Sequence, residues 1–129
     1  MQPTLKFIGK IHSELVNLED CPRQENKNAP KASLEIFPEF LEAARDIKKD
    51  SELVLLTWLH KGDRNEMETR PRNNPNAPLL GVFSTRSPNR PNPIGLHEVK
   101  VLSVENGVIK VSSLEVLDQT PIVDIKPKI

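Results

Sequence analysis

Between Thr85 and Gly95 the chain reads Thr85-Arg86-Ser87-Pro88-Asn89-Arg90-Pro91-Asn92-Pro93-Ile94-Gly95, and this run restricts the fold more than any other. Each proline fixes its own φ, lacks a backbone donor, and biases the residue before it toward extended geometry. Neither a helix nor a central strand can accommodate that, so the run is a stiff loop. Arg86 and Arg90 ride on it with hydroxyl and amide groups at Thr85, Ser87, Asn89 and Asn92. A backbone held rigid beneath planar cations suits the capture of an anionic or highly polar ligand, because much of the ordering entropy has been removed beforehand. Pro88-Asn89-Arg90-Pro91 also fits a PxxP ligand for an adaptor domain. Its place between strand-like Leu79–Phe83 and Val99–Leu102 favours a loop inside a domain over a tail offered to a partner.

With 129 residues the chain makes one domain, residues 1–129. No stretch reaches the roughly 18 apolar residues of a membrane span, and the N-terminus has no signal-peptide core. Cys21 is the single cysteine, which excludes an intrachain disulfide and a cysteine metal cage. These features predict a cytoplasmic protein with no membrane partner. The 18 basic and 18 acidic residues cancel, arguing against a generic nucleic-acid coat held by bulk counterion release. The distribution is uneven, however. From Thr69 to His97 the sequence carries Arg70, Arg72, Arg86 and Arg90 and no acidic residue, which fits either a selective RNA or phosphate binder or simple solvation of long loops.

Strand signals recur along the chain at Leu5–Ile11, Ser33–Phe37, Glu52–His60, Val99–Leu102, Val108–Val111 and Ile122–Ile125. Glu52–His60 is apolar on both faces, which predicts a central, fully buried strand. Asn106-Gly107 between two strand-like runs predicts a hairpin. Pro38 to Lys48 is the one helical pattern, with Phe40, Leu41, Ala44 and Ile47 on one face and proline at the first position. Lys61–Pro78 is polar and without periodicity, as functional or disordered loops often are. Strands that do not alternate with helices exclude a doubly wound domain. Five glycines without a G-x-G exclude a Rossmann turn or P-loop. The pattern predicts a mainly β fold: a small, single-sheet antiparallel barrel with one short helix.

Of the common chemistries, metal binding lacks a ligand set, since His12, His60 and His97 are far apart and unpaired in sequence. No metal is therefore expected. Nucleophilic catalysis lacks a G-x-S-x-G elbow or a local Cys–His pairing. Spacing alone stops at a small β-rich domain with a rigid basic loop.

Three segments nevertheless resemble the TsaA-like, or TrmO (YaeB), family: Gly81–Pro88 running into Arg90–Leu96, then Pro22-Arg23-Gln24, and finally Asp118–Pro127. They occur in the family's order and spacing over nearly the whole chain. The resemblance implies a non-Rossmann β-barrel methyltransferase that uses S-adenosylmethionine to methylate tRNA on N6 of the threonylcarbamoyl-adenosine just 3′ of the anticodon. It also implies a homodimer with cofactor sites near the subunit interface. The cofactor contacts would fall on Pro22, Arg23, Gln24, His60, Lys61, Arg86, Leu96, Asp118, Gln119, Thr120 and Pro121.

Within that resemblance, Arg86 suits a bidentate pair with the methionyl carboxylate, Leu96 an apolar wall to adenine, and the Asp118–Pro121 backbone its polar edge. Arg23, Arg70, Arg72, Arg90 and Asn92 suit RNA phosphate or the threonyl carboxylate. Methyl transfer from a sulfonium is an in-line displacement in which alignment supplies much of the rate. The accepting nitrogen loses a proton to His60 or Asp118, the two catalytic candidates. Bland readings stand beside these: Asp118 as a turn former, His60 as a rim histidine, and Trp58 as core. Gln119 departs from the family's usual Asp-Gly-Thr-Pro, so this turn must be comfortable with a side chain. The alternative to an enzyme is a non-catalytic module that binds S-adenosylmethionine or RNA.

Overall fold

The computed structural model describes residues 2–15, 31–71, 74–112 and 114–129. Pro22, Arg23, Gln24 and Arg72 lie outside the described residues. The elements in chain order are β1 (Gly9–His12), β2 (Ala32–Ile36), a 3-10 helix (Pro38–Ala44), β3 (Glu52–Trp58), β4 (Glu68–Thr69), β5 (Leu80–Gly81), a second 3-10 turn (Val82–Ser84), β6 (Ile94–Glu105), β7 (Val108–Val111) and β8 (Pro121–Pro127). Six strands close into an antiparallel barrel in the order β1-β2-β7-β6-β3-β8, and β4 pairs with β5 as a separate ribbon. The fold is the mainly β, single-sheet barrel expected. No helix among the described residues is long and apolar enough to cross a membrane.

Period-two alternation builds the interior. Ile11, Leu34, Leu55, Val101, Ile109, Val111 and Ile122 point inward and are essentially inaccessible, each burial contributing about 1.5–3 kcal/mol. Leu114 and Val116, from the segment between β7 and β8, join this core. Ile8, Phe40, Ala44 and Ile47 pack against it half-buried.

Several elements differ from the sequence pattern, each for a physical reason. Residues 5 to 8 are not strand: the ladder with β2 ends at Gly9↔Ile36, and beyond it, among the described residues, only Ile8 keeps backbone bonds, donating to the Ile122 carbonyl at 2.9 Å and accepting from Phe37 N–H at 3.0 Å. β3 is flanked by β6 and β8, yet only Leu53, Leu55 and Thr57 are buried, while Val54, Leu56 and Trp58 on the outer face are half-exposed. It is therefore not the fully buried strand its composition suggests. β6 begins at Ile94 rather than Val99, its first inward positions being Gly95 and His97, which hides the apolar signal. Of Leu79–Phe83 only Leu80–Gly81 is strand, and the polar stretch before it supplies β4 as its partner. The Pro38 helix is a 3-10 segment with no capping side chain and no fully buried residue. With little tertiary packing to stabilise an α-helix, the shorter i→i+3 form suffices.

The Asn106-Gly107 hairpin forms as expected, with φ of 50° and 78°. Both central residues at positive φ mark the primed turn whose twist matches the strands. The Gly107 carbonyl also accepts from Ile36 N–H at 3.0 Å, tying the hairpin to β2. Gly107→Ala is expected to destabilise the fold by about 1–2 kcal/mol, the cost of a side chain in left-handed backbone, seen as a lower urea midpoint with unchanged slope.

Candidate functional site

Strand polarity brings four connections to one end of the barrel. β1, β3 and β7 end there and β2, β6 and β8 begin there, as the pairs Trp58↔Ile94, Thr57↔Ile122 and Lys10↔Pro121 show. Gathered at this end are residues 13–15 and Lys31, residues 59–67 with His60 and Lys61, residues 82–93 with the proline run, and residues 112 and 114–120 with Asp118. The described sites expected in these loops therefore share one end of the barrel. A cavity of about 510 Å³, bounded by Ile8, Phe40, Ile47, Leu53 and Ile125, lies at the other end. It contains none of the expected site residues, so volume alone does not locate the chemistry.

The proline run is rigid, and side chains as well as prolines make it so. Thr85 Oγ1 donates to the Val82 carbonyl at 2.9 Å and accepts from Ser87 N–H at 3.2 Å, while Ser87 Oγ accepts from Asn89 N–H at 3.1 Å. Arg90 Nη1 donates to the carbonyls of Thr85 at 2.8 Å and Ser87 at 3.1 Å. The loop is also bolted to residues 59–67. Leu59 N–H donates to the Pro93 carbonyl at 2.7 Å, and Asp63 N–H donates to Asn89 Oδ1 at 2.9 Å. Arg64 donates from Nε to the Pro91 carbonyl at 2.7 Å and from Nη2 to Asn92 Oδ1 at 3.1 Å. Its guanidinium lies over the Trp58 ring, 5.1 Å from the centroid. Gly62 packs so closely on the Pro88 carbonyl that a Cβ there would collide with it.

Thr85, Ser87, Asn89, Asn92 and one edge of Arg90 are thus engaged in building the loop. Arg86 is exposed, and among the described residues it has no hydrogen-bond or ion-pair partner. Trp58 is half-buried, carries Arg64, and is neither core nor an open platform. Arg64 was not evident in the sequence: it sits in an aperiodic polar stretch and its partners are 27 and 28 residues away.

At the opposite rim, Asp118 Oδ1 accepts from Ser13 N–H at 2.9 Å and Oδ2 accepts from the Gln119 amide at 3.3 Å. The Ser13 backbone bond chiefly, with Gln119 and His12 assisting, holds the Asp118 carboxyl below its ordinary value, against the effect of partial burial. Both oxygens are engaged, which makes this carboxylate a poor proton acceptor and a good fastener. Gln119 has φ of 72°, the left-handed region, which explains why glycine suits that position. Thr120 is buried and donates to the Leu117 carbonyl at 2.7 Å. His60 is exposed at the end of β3, and desolvation, with the charge of Lys61, lowers its pKa. The shift favours the neutral ring, the form that can take a proton. Arg70 is exposed just after β4. Leu96 points outward from the wall of the barrel, 46% exposed beside Ile94 at 41%. It alone among the described cofactor candidates does not belong to the loop cluster. Among the described residues no group of three or more His, Cys, Asp or Glu side chains is placed to hold a metal.

A closed six-stranded barrel with rigid polar loops gathered at one rim, and no glycine-rich phosphate turn, defines a non-Rossmann ligand-binding domain. Residues 10–129 match the model of the tRNA-methyltransferase O N-terminal domain, and the chain belongs to this family. It is 40% identical over 123 residues to a protein of Archaeoglobus fulgidus named "Probable S-adenosyl-L-methionine-binding protein", covering 95% of this chain and 33% of that one. A protein of the same name from Methanothermobacter thermautotrophicus is 35% identical over 127 residues, covering 98% and 90%. The crystal structure of TrmO from P. aeruginosa superposes with a TM-score of 0.77 at 32% identity, covering all of this chain and 55% of that one. The chain thus spans a third of the first relative and about half of the solved TrmO chain.

The Asp118 contacts carry a pH signature. A carboxyl whose folded pKa lies below its ordinary 3.8 contributes stability that is present above that value and lost as pH falls through the folded pKa. Asp118→Asn should therefore be less stable than the parent protein near neutral pH. The gap between their urea midpoints should close as the pH drops below the ordinary carboxylate range.

Proposed function

We propose that this domain is a tRNA methyltransferase that binds S-adenosylmethionine at the loop-bearing rim and methylates N6 of threonylcarbamoyl-adenosine beside the anticodon. The observation that carries the reading is Arg86, a guanidinium with no partner among the described residues, on a loop whose other polar groups hold it rigid, in a chain of this family. The rim residues fit the cofactor's chemistry. Arg86 and Lys61 offer positive charge for an amino-acid carboxylate, and the Asp118–Pro121 turn offers backbone groups for a base edge. When bound, the cofactor supplies an electrophilic methyl on a sulfonium.

The chain's own residues contribute position and proton management. Arg86, planar and always charged, orients a carboxylate bidentately. His60 is the better of the two proton acceptors, because its neutral form is favoured and it is exposed, whereas both oxygens of Asp118 are engaged. The carbamoyl group beside the accepting nitrogen raises its acidity, so a weak base suffices. Arg70 and the free edge of Arg90 serve RNA phosphate or the threonyl carboxylate, together with Arg72. Asn92 acts indirectly, through Arg64. Pro22, Arg23 and Gln24 complete the cofactor site from the β1–β2 connection. Leu96 faces away from its own rim, which supports a homodimer in which it walls the site of a second copy. A tRNA substrate places the protein in the cytoplasm.

The discriminating experiment incubates the protein with methyl-labelled S-adenosylmethionine and tRNA bearing threonylcarbamoyl-adenosine, then resolves the nucleosides. Label on N6 of that nucleoside is expected; cofactor binding without transfer to any tRNA would establish the non-catalytic module instead. Arg86→Ala should weaken cofactor binding about tenfold or more by calorimetry, the scale of a lost charged hydrogen bond of about 1.5–3 kcal/mol. Unchanged affinity would remove Arg86 from the site.

A further inference from the structure

A chain of side-chain contacts runs from the outer wall of the barrel to the rim. Glu35 Oε1 lies 2.7 Å from His12 Nε2, His12 Nδ1 lies 3.3 Å from Gln119 Nε2, and that nitrogen is also 3.3 Å from Asp118 Oδ2. Asp118 then fastens Ser13 through its other oxygen. The protonation pattern follows from donor counting. Ionised Asp118 only accepts, so the Gln119 atom facing it must be the NH2 group, which has two hydrogens. Its second hydrogen faces Nδ1, which must therefore be the acceptor. The ring proton then sits on Nε2 and is donated to Glu35. Only neutral histidine in this one tautomer satisfies all four groups.

We propose that His12 is a positioning residue for the Asp118–Gln119 turn, holding the Gln119 amide toward Asp118 while its Nδ1 is unprotonated and releasing it when protonated. A proton on Nδ1 would face the NH2 group, donor against donor. Turning the amide over relieves that clash and sets Oε1 against Asp118, acceptor against acceptor. Protonation therefore costs the rim one of its fastenings whichever way the amide lies. Charged groups around the ring act in both directions. Glu35 on β2 and Asp118 in the turn favour the cation. Lys31 just before β2, Lys10 on β1 and Lys110 on β7 oppose it, as the register His12↔Ser33, Lys10↔Glu35 and Ser33↔Lys110 arranges them. Gln119 bears left-handed backbone, an arrangement that persists only where its surroundings hold it; its N–H bond to the Ile11 carbonyl fixes the main chain, and the His12 and Asp118 contacts fix the side chain.

This inference rests on the rim being the cofactor site for its effect on binding, though not for the linkage itself. The test follows the Gln119 side-chain amide by NMR and the S-adenosylmethionine affinity by calorimetry, from pH 8 to about pH 5.5, where histidine titrates. In the parent protein the Gln119 amide resonances should move with the His12 ring, and affinity should fall about three- to tenfold on acidification, the scale of one neutral hydrogen bond. His12→Asn, whose side-chain oxygen replaces the Nδ1 acceptor without titrating, should hold the amide constant and flatten the pH dependence of affinity relative to the parent. His12→Ala should be weak throughout. His60 and His97 remain in every variant, so the two profiles differ only through His12, and a pH dependence undiminished in His12→Asn overturns the proposal. So does a Gln119 amide indifferent to His12. An amide that follows His12 in a protein that binds no S-adenosylmethionine would sustain the linkage and refute the cofactor reading.

Discussion

The molecule depends on the way β8 closes the sheet. On one edge β8 pairs with β3 from Leu53 to Thr57, and on the other it meets β1 at only two positions, Gly9↔Ile122 and Lys10↔Pro121. The register shifts between Leu56 and Thr57, and such a bulge bends a strand, letting β8 turn from one neighbour to the other. Short as it is, the β1 seam removes the last two free edges of the sheet, which would otherwise invite pairing with other chains. Backbone bonds extend it into the rim: Ile11 N–H donates to the Thr120 carbonyl at 2.9 Å and Gln119 N–H to the Ile11 carbonyl at 2.7 Å. The Asp118–Pro121 turn is therefore part of the barrel's closure, and any change in it is felt by both.

The same economy operates across the rim. A loop without regular structure has backbone groups to satisfy, and those of residues 82–93 are met by the hydroxyls of Thr85 and Ser87 and by the guanidinium groups of Arg90 and, from the β3–β4 connection, Arg64. Conformational entropy is thereby lost on folding, so that ligand binding need not supply it. The consequence is a separation of tasks within one short segment. Thr85, Ser87, Asn89 and Arg90 support the loop, Arg64 and Trp58 brace it from the β3–β4 connection, and Arg86 has no such task among the described residues.

How far the sequence disclosed this depends on the range of the interactions. Period-two alternation and Asn106-Gly107 announce a β fold because their signals are local. The proline run announces a stiff loop for the same reason. What composition could not disclose is which polar groups are consumed internally: Asn89 is paired with Asp63, and Asn92 with Arg64, across more than 25 positions of chain. Side chains of identical type thus divide into loop-builders and free cations only once the fold is closed. β6 was partly concealed because its first inward positions are Gly95 and His97, the histidine buried 3.0 Å from Thr57 Oγ1, where a pattern reader expects aliphatic residues. Leu96, placed with the cofactor by resemblance, points outward for the simple reason that it lies between those two inward residues.

Gln119 joins the closure of the barrel to its rim. A left-handed turn favours glycine, which adopts that backbone without a steric penalty, and a glycine there would leave Asp118 with its Ser13 bond alone. Glutamine incurs the backbone cost, about 1 kcal/mol, and in return its amide reaches both Asp118 and His12. The turn thereby gains a fastening that glycine cannot provide, and with it a dependence on the protonation of a histidine on the barrel wall. A rim assembled from rigid loops has few ways to respond to its surroundings. Among the described residues His12 is the titratable ring hydrogen-bonded to the turn, so sensitivity to pH enters at the point where local backbone preference has been overruled.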